Sequence, residues 1–257
     1  MKKKAKKRSA GKIKQRMQRI RTSKTGKILI LLVCIAVAYS LVKIGIITYQ
    51  VYDLRNNNPK ITSLIRYRIE QHKEEKKKYY YDFDCTSLSK ISPDLKIAIL
   101  AAEDPNFFDH YGFDLRQIKE SFKVNIKKGK IVRGASTITM QTARTLFLYP
   151  KRSIVRKVKE SVISVIMELL LSKKRIFELY VNYLELGDGV FGVERASHYY
   201  FHKHASDLTY YESIALTGAI ARPFKSNPAK PDKWLQWKIR IIDNKVKLLP
   251  KGVAKNI

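Results

Sequence analysis

The sequence predicts a mainly α-helical protein in which one transmembrane helix precedes a helical domain. Three observations carry that prediction. Ile28 to Val51 is an apolar run of 24 residues, about the length that crosses a bilayer as a helix. Beyond it, helix start and stop signals recur: Ser92-Pro93, Asp114 with Gly129, and Thr209-x-x-Glu212. Strand-like alternation is scarce, and no internal repeat is visible.

Residues 1–27 form a basic arm with 13 Lys or Arg and no acid, which supplies +13 of a formal net charge of +30. Such an excess seeks polyanions. No zinc-finger spacing or RNA-binding aromatic signature favours nucleic acid, so the apolar run beside the arm makes membrane lipid the expected partner. The positive-inside rule keeps residues 1–27 in the cytoplasm, with residues 28–51 spanning the membrane and the rest of the chain outside. Lys43 can snorkel, and Tyr49 and Tyr52 suit an aromatic belt. Ala36-Val37-Ala38 resembles a signal-peptide processing site, but apolar sequence continues beyond it. Cys34 lies within the span and Cys85 is alone outside, so no intramolecular disulfide is expected.

Residues 52–90 are polar and densely charged, and they read as a linker or stalk. The helical domain is expected over residues 91–231. Its first helix starts at Ser92-Pro93 and ends with the apolar run Ile97 to Ala102, because Pro105 biases Asp104 out of helical geometry. Glu103 therefore stands where a helix gives way to a turn, with Phe107, Phe108 and His110 close by. A Glu so placed can act as a general base, although an isolated Glu-Asp pair is more often two solvated helix-end carboxylates. Asp114 heads a second helix that Gly129 can close, and a third follows Ser136. Ser153 to Leu171 carries Ile154, Val158, Val162, Val165, Ile166 and Leu169 at helical spacing, which predicts a central, largely buried helix. Lys173 to Leu184 continues after a break. Thr209 opens an apolar helix that reaches Ala221 before Pro223, Pro228 and Pro231. In residues 232–257, Trp234, Trp237, Ile241, Ile242 and Leu249 form a stripe among lysines, a basic amphipathic tail expected to cover its own domain.

Four further stretches carry chemistry. Gly134 to Gln141 gathers small and hydroxylated residues at a helix start, where free backbone N–H groups suit a polar or anionic ligand, and Gln141 and Arg144 project from the first turns. Arg156, Lys157 and Glu160 share one helix face, two cations beside one carboxylate, an arrangement also met in plain surface ion pairs. Lys174 to Asn182 leads into Gly187 to Ser197, where glycines permit a tight turn.

In this order the motifs resemble the peptidoglycan glycosyltransferases of family 51, specifically the monofunctional biosynthetic transglycosylases, over about Ile91 to Pro231. The matching stretches are Glu-Asp-x-x-Phe-x-x-His-x-Gly at Glu103 to Gly112, Gly-Ala-Ser-Thr-Ile-Thr-x-Gln at Gly134 to Gln141, Arg-Lys-x-x-Glu at Arg156 to Glu160, Arg175 to Asn182, and Gly187 to Phe201. The second motif departs from the family pattern: Arg144 and Thr145 stand for the usual Lys-Asn, and Met140 for a usual Gln. Arg keeps the charge but changes its shape.

The resemblance implies a lysozyme-like helical fold with a membrane-proximal jaw, placed here at Phe113 to Val132. It implies an enzyme that polymerises lipid II into β-1,4-linked glycan strands with inversion and release of undecaprenyl pyrophosphate, in cell wall biosynthesis at the bacterial cytoplasmic membrane. By the same resemblance Glu103 is the catalytic base and Glu160 a second functional carboxylate. Asp104, Phe107, His110, Gly134, Ser136, Thr137, Gln141, Arg144, Arg156, Lys157, Glu178 and Asn182 are implied to bind substrate. Implied partners are lipid II, the nascent glycan strand, membrane lipid, and other wall-synthesis or division proteins. No metal ligands are assigned and no cofactor is obligatory. A divalent cation, Mg²⁺ or Mn²⁺, could meet the phosphate charge, but no dedicated ligand cluster is visible. Two other readings stay open on sequence: a lysozyme-like lytic enzyme, which also needs one Glu in a helical domain, and a non-catalytic membrane-anchored scaffold for wall synthesis.

Overall fold

Backbone groups in lipid must be paired within their own segment, and the apolar run answers as a helix. The computed structural model describes residues 23–130, 132, 134–151 and 153–249, and in it α1 spans Lys24–Asp53. Its 30 residues reach about 45 Å at the α-helical rise, enough to cross the hydrocarbon core. Most of the basic arm, residues 1–22, lies outside the described residues, as does the end of the C-terminal tail, residues 250–257. The chain divides into two compact units, Met1–Gln50 and Val51–Ile257.

Within the second unit, the stretch expected to be a stalk is folded. Thr62 caps α2 (Ser63–Glu74) by accepting from the Ile65 amide at 3.2 Å, and Ile65 is fully buried. Arg68 grips both oxygens of Glu185, at 2.7 and 2.8 Å. Then β1 (Asp82–Phe83) pairs in parallel with β3 (Val190–Phe191), which in turn pairs antiparallel with β2 (Glu185–Gly187). Strands of two or three residues are too short to show a period of two, so the sequence pattern hides this sheet. The turn between β2 and β3 needs Gly189: its φ is +71°, and a Cβ there would lie 2.1 Å from the Tyr80 carbonyl oxygen. Gly189→Ala is expected to cost more than the ~1–2 kcal/mol of left-handed backbone strain alone, because β1 must also shift, and a thermal melt reads the loss.

The helices that carry the site follow. Pro93 occupies the first position of α3 (Pro93–Glu103), while the Ser92 hydroxyl leaves the cap and donates to Leu208 O at 3.3 Å. Asp114 caps α4 (Leu115–Lys128), which ends at Gly129 with φ +61°. Thr137 caps α5 (Ile138–Phe147), Ser153 caps α6 (Ile154–Leu170) and Ser172 caps α7 (Lys173–Tyr183). After β3 come α8 (Val193–Phe201), α9 (Tyr210–Ala219), opened by a full capping box from Thr209 and Glu212, and α10 (Lys233–Lys247).

One packing expectation is corrected, and in a second the buried residues differ. In α6 only Glu160, Ile163, Ser164 and Met167 are buried; Ile154, Val155, Val158, Val162, Val165 and Leu169 face outward. One side of the helix packs on α5 and α7, and an apolar stripe alone does not say what covers its other side. In α10 the buried residues are Leu235, Ile239 and Ile242, packed with Ala98, Ile214 and Ala215 of α3 and α9, whereas Trp237 is half-exposed. The helix covers its own domain as expected, and does so as part of the core, since full burial of each such side chain is worth about 1.5–3 kcal/mol.

Candidate active site

Pro105 denies α3 another turn, and Asp104 leaves helical geometry at φ −157°, ψ 78°. Glu103 thus ends the helix half-buried, its Oε2 accepting from Gln141 Nε2 of α5 at 2.9 Å. Beside it opens a cleft lined by Glu103, Asp104, Asp114, Gln117, Gly134, Ala135, Ser136 and Thr137. The carboxylate therefore faces the small, hydroxylated start of α5, where first-turn amides have no helical partner.

One of those amides is held by Asp104, which is buried: its Oδ2 accepts from Ile138 N at 3.0 Å, and His110 Nε2 lies 3.0 and 3.1 Å from its two oxygens. Phe107 is buried against Phe108 and Phe177, with the Lys173 ammonium 4.4 Å above its ring. Asp104 reaches the cleft wall, while Phe107 and His110 stand behind it. Thr137 donates to Gly112 O at 2.7 Å and Ser121 donates to Gly134 O at 3.1 Å, so the start of α5 is fastened to α4 and the turn before it.

On α6, Glu160 has no exposed side-chain surface, and each of its oxygens is taken by a cation: Arg156 Nη1 at 2.5 Å and Lys157 Nζ at 2.7 Å. So enclosed, the carboxylate has no exposed surface and pairs with both cations. Lys157 also donates to Ser136 Oγ at 2.9 Å, with Met140 Sδ at 4.0 Å, and thereby links the cluster to the cleft wall. Its side chain is 44% exposed against 18% for Arg156, which leaves Lys157 the more open cation of the pair.

Glu178 and Asn182 are engaged elsewhere. Arg175 pairs with Glu178 and donates to Leu54 O and Asn57 O, and Asn182 brackets the Thr86 backbone at 2.8 and 2.9 Å. Neither lines the cleft; both bind α7 to the chain that leads into α3.

Sequence reasoning missed Asp114, Gln117 and Tyr180. Burial works to raise the Asp114 pKa, but hydrogen bonds from Asn106 and from the amides of Gln117 and Arg116 outweigh it and hold the carboxyl below its ordinary value. Tyr180, one turn after Phe177 on α7, has a buried hydroxyl without a hydrogen-bond partner among the described residues. Burial pushes that hydroxyl well above its ordinary pKa, and the charge on Glu103 adds to the effect while half-buried Arg144 opposes it. The helical register that buries Phe177 and Tyr180 together was the available signal.

The carboxylates on the cleft wall accept from protein donors: Glu103 from Gln141, Asp104 from the Ile138 amide and Asp114 from Asn106. Among the described residues the fold assembles one possible ligand cluster that the linear sequence did not reveal, Glu194 with His198 and His204, on α8 and the turn after it.

Residues 70–246 match the family model described as Transglycosylase, a span wider at both ends than the motifs alone. A biosynthetic peptidoglycan transglycosylase of Chromobacterium violaceum is 38% identical over 220 residues, covering 86% of this chain and 95% of the relative. The protein of that name from Shewanella oneidensis is 40% identical over 171 residues, 66% of this chain and 73% of the relative. The one from Mannheimia succiniciproducens reaches 46% over 151 residues, 58% of this chain and 62% of the relative. With the family model matching well over half of its residues, the chain belongs to the transglycosylase family, together with the biosynthetic peptidoglycan transglycosylases.

Proposed function

We propose that the chain polymerises lipid II, joining disaccharide units through β-1,4 bonds with inversion and release of undecaprenyl pyrophosphate. The observation that carries this reading is Glu103 facing the start of α5, with the Arg156–Lys157–Glu160 cluster tied to the same wall through Ser136. Displacement of a pyrophosphate from an α-anomeric carbon needs a base for the incoming sugar hydroxyl and cations for the departing charge. Glu103 takes the hydroxyl proton as the new bond forms, and Gln141 aims its carboxylate. Lys157, supported by Arg156 and Arg144, receives the pyrophosphate, and Glu160 holds the two α6 cations in place. The Gly134 to Thr137 stretch offers hydroxyls and first-turn amides to sugar or phosphate, while Asp104, Phe107, His110, Glu178 and Asn182 set the position of these groups. Mg²⁺ or Mn²⁺ arriving with the phosphates would add to charge that the chain's own cations already supply.

The substrate's polyprenyl tail stays in lipid. In support, α4 exposes Leu115, Phe122 and Ile126 between lysines, and α6 exposes its valine stripe. Residues 1–27 lie in the cytoplasm and the domain outside it, on the face where the lipid-linked sugar is used.

Purified protein supplied with lipid II is expected to build a glycan polymer and to leave finished wall intact. Fragments released from finished wall without any polymer would transfer the assignment to a lytic enzyme, and inertness toward both substrates would leave a scaffold.

A further inference from the structure

Glu194 sits in the first turn of α8, and His198, four residues on, shares its face. The helix stops at Phe201, where His202 adopts the left-handed conformation at φ +58° and turns the chain back. That turn brings His204 against the same carboxylate. Glu194 Oε1 lies 3.0 Å from His198 Nε2 and 2.7 Å from His204 Nδ1, while its Oε2 accepts from Ala205 N at 2.9 Å. One ligand atom from each of the three side chains lies within 4.8 Å of the others.

We propose that Glu194, His198 and His204 form a transition-metal site matched to Zn²⁺, which clamps the end of α8 to the turn before Ala205. Two imidazoles and one carboxylate are a zinc donor set that leaves a fourth position for water, whereas Mg²⁺ and Ca²⁺ prefer oxygen donors throughout. With metal–ligand bonds of 2.0–2.1 Å, tetrahedral ligands stand about 3.3 Å apart, so the 3.0 and 2.7 Å nitrogen–oxygen separations must open by about 0.3 and 0.6 Å, and the two nitrogens, within 4.8 Å of each other, must settle at the same spacing. His204 can supply that movement, because its side chain is 68% exposed. The Ala205 amide fixes the carboxylate from behind, as an outer hydrogen bond to a metal ligand should. None of the three residues lines the cleft, so the site stands apart from the proposed catalytic chemistry. It is coupled to the fold all the same: Ser92 N donates to Ala205 O at 2.9 Å, and Ser92 heads the helix that ends at Glu103.

The competing account is a hydrogen-bonded cluster in which both imidazoles donate N–H to Glu194 and no ion enters. Calorimetric titration of the full chain, purified in detergent and freed of metal by chelation, separates the two. Zn²⁺ is expected to bind with one equivalent and to raise Tm, and Co²⁺ to give the visible absorption of a tetrahedral site, while Mg²⁺ at equal concentration does neither. His204→Ala, at an exposed position, should weaken Zn²⁺ binding tenfold or more, and so should His198→Ala; His202→Asn, which removes an imidazole but tolerates the left-handed turn, should not. Absence of stoichiometric Zn²⁺ uptake, or uptake unchanged in both His198→Ala and His204→Ala, would overturn the proposal.

Discussion

Glu103→Gln is expected to lower lipid II polymerisation at least about 10²-fold while Tm and membrane insertion stay near those of the parent, because a positioned general base contributes 10²–10⁴ in rate. The substitution is nearly isosteric. The Gln141 amide that donates to Oε2 at 2.9 Å can donate to the remaining amide oxygen, so the wall of the cleft keeps its shape. Only the proton acceptor is lost. A variant that retains more than a tenth of the parental rate would show that another group takes the proton.

Removing the α6 ammonium should have the next largest effect, and the geometry dictates how to test it. Glu160 is wholly buried and shared by Arg156 and Lys157, so stripping one cation alone leaves a buried carboxylate half-compensated. Breaking a buried ion pair costs about 3–5 kcal/mol, less here because the Lys157 side chain is 44% exposed. Stability would therefore fall in Lys157→Ala whether or not the lysine meets substrate. A double variant, Lys157→Met with Glu160→Gln, removes one positive and one negative charge together and leaves no half-paired carboxylate. Measured against Glu160→Gln alone, which already leaves Arg156 beside a neutral amide, it is expected to melt no lower yet to turn over lipid II at least tenfold more slowly, since a charge-assisted contact to phosphate is worth roughly 1.5–3 kcal/mol. Binding of a pyrophosphate-bearing substrate analogue should weaken in parallel. Wild-type turnover in this double variant would pass the leaving-group role to Arg144 or to a metal ion.

What the sequence made legible was local. Pro93, Asp114 with Gly129, and Thr209 with Glu212 mark α3, α4 and α9 because a first-position proline, capping and left-handed closure are decided within one turn of chain. Pro105 likewise sets the end of α3 and hence the position of Glu103. Features that depend on distant partners were hidden. The valines of Ser153 to Leu171 have helical spacing whichever side they face, so their exposure could not be read from it. The tryptophans of the C-terminal helix drew attention from Leu235, Ile239 and Ile242, whose burial is set by α3 and α9. The grip of Arg175 on the Leu54 and Asn57 carbonyls spans 121 and 118 residues, and no periodicity reports such a contact. The same limit concealed the Glu194 cluster, since His204 joins it only through the left-handed turn at His202.

The central claim is a single in-line displacement in which Glu103 serves as base and forms no bond to sugar. The configuration at the newly linked anomeric carbon tests it most directly, measured by NMR on glycan made by the purified full chain from lipid II. The account predicts a β linkage throughout, with one undecaprenyl pyrophosphate released per bond and no sugar attached to the protein at any time. An α linkage, or a glycosyl adduct trapped on Glu103, would contradict it.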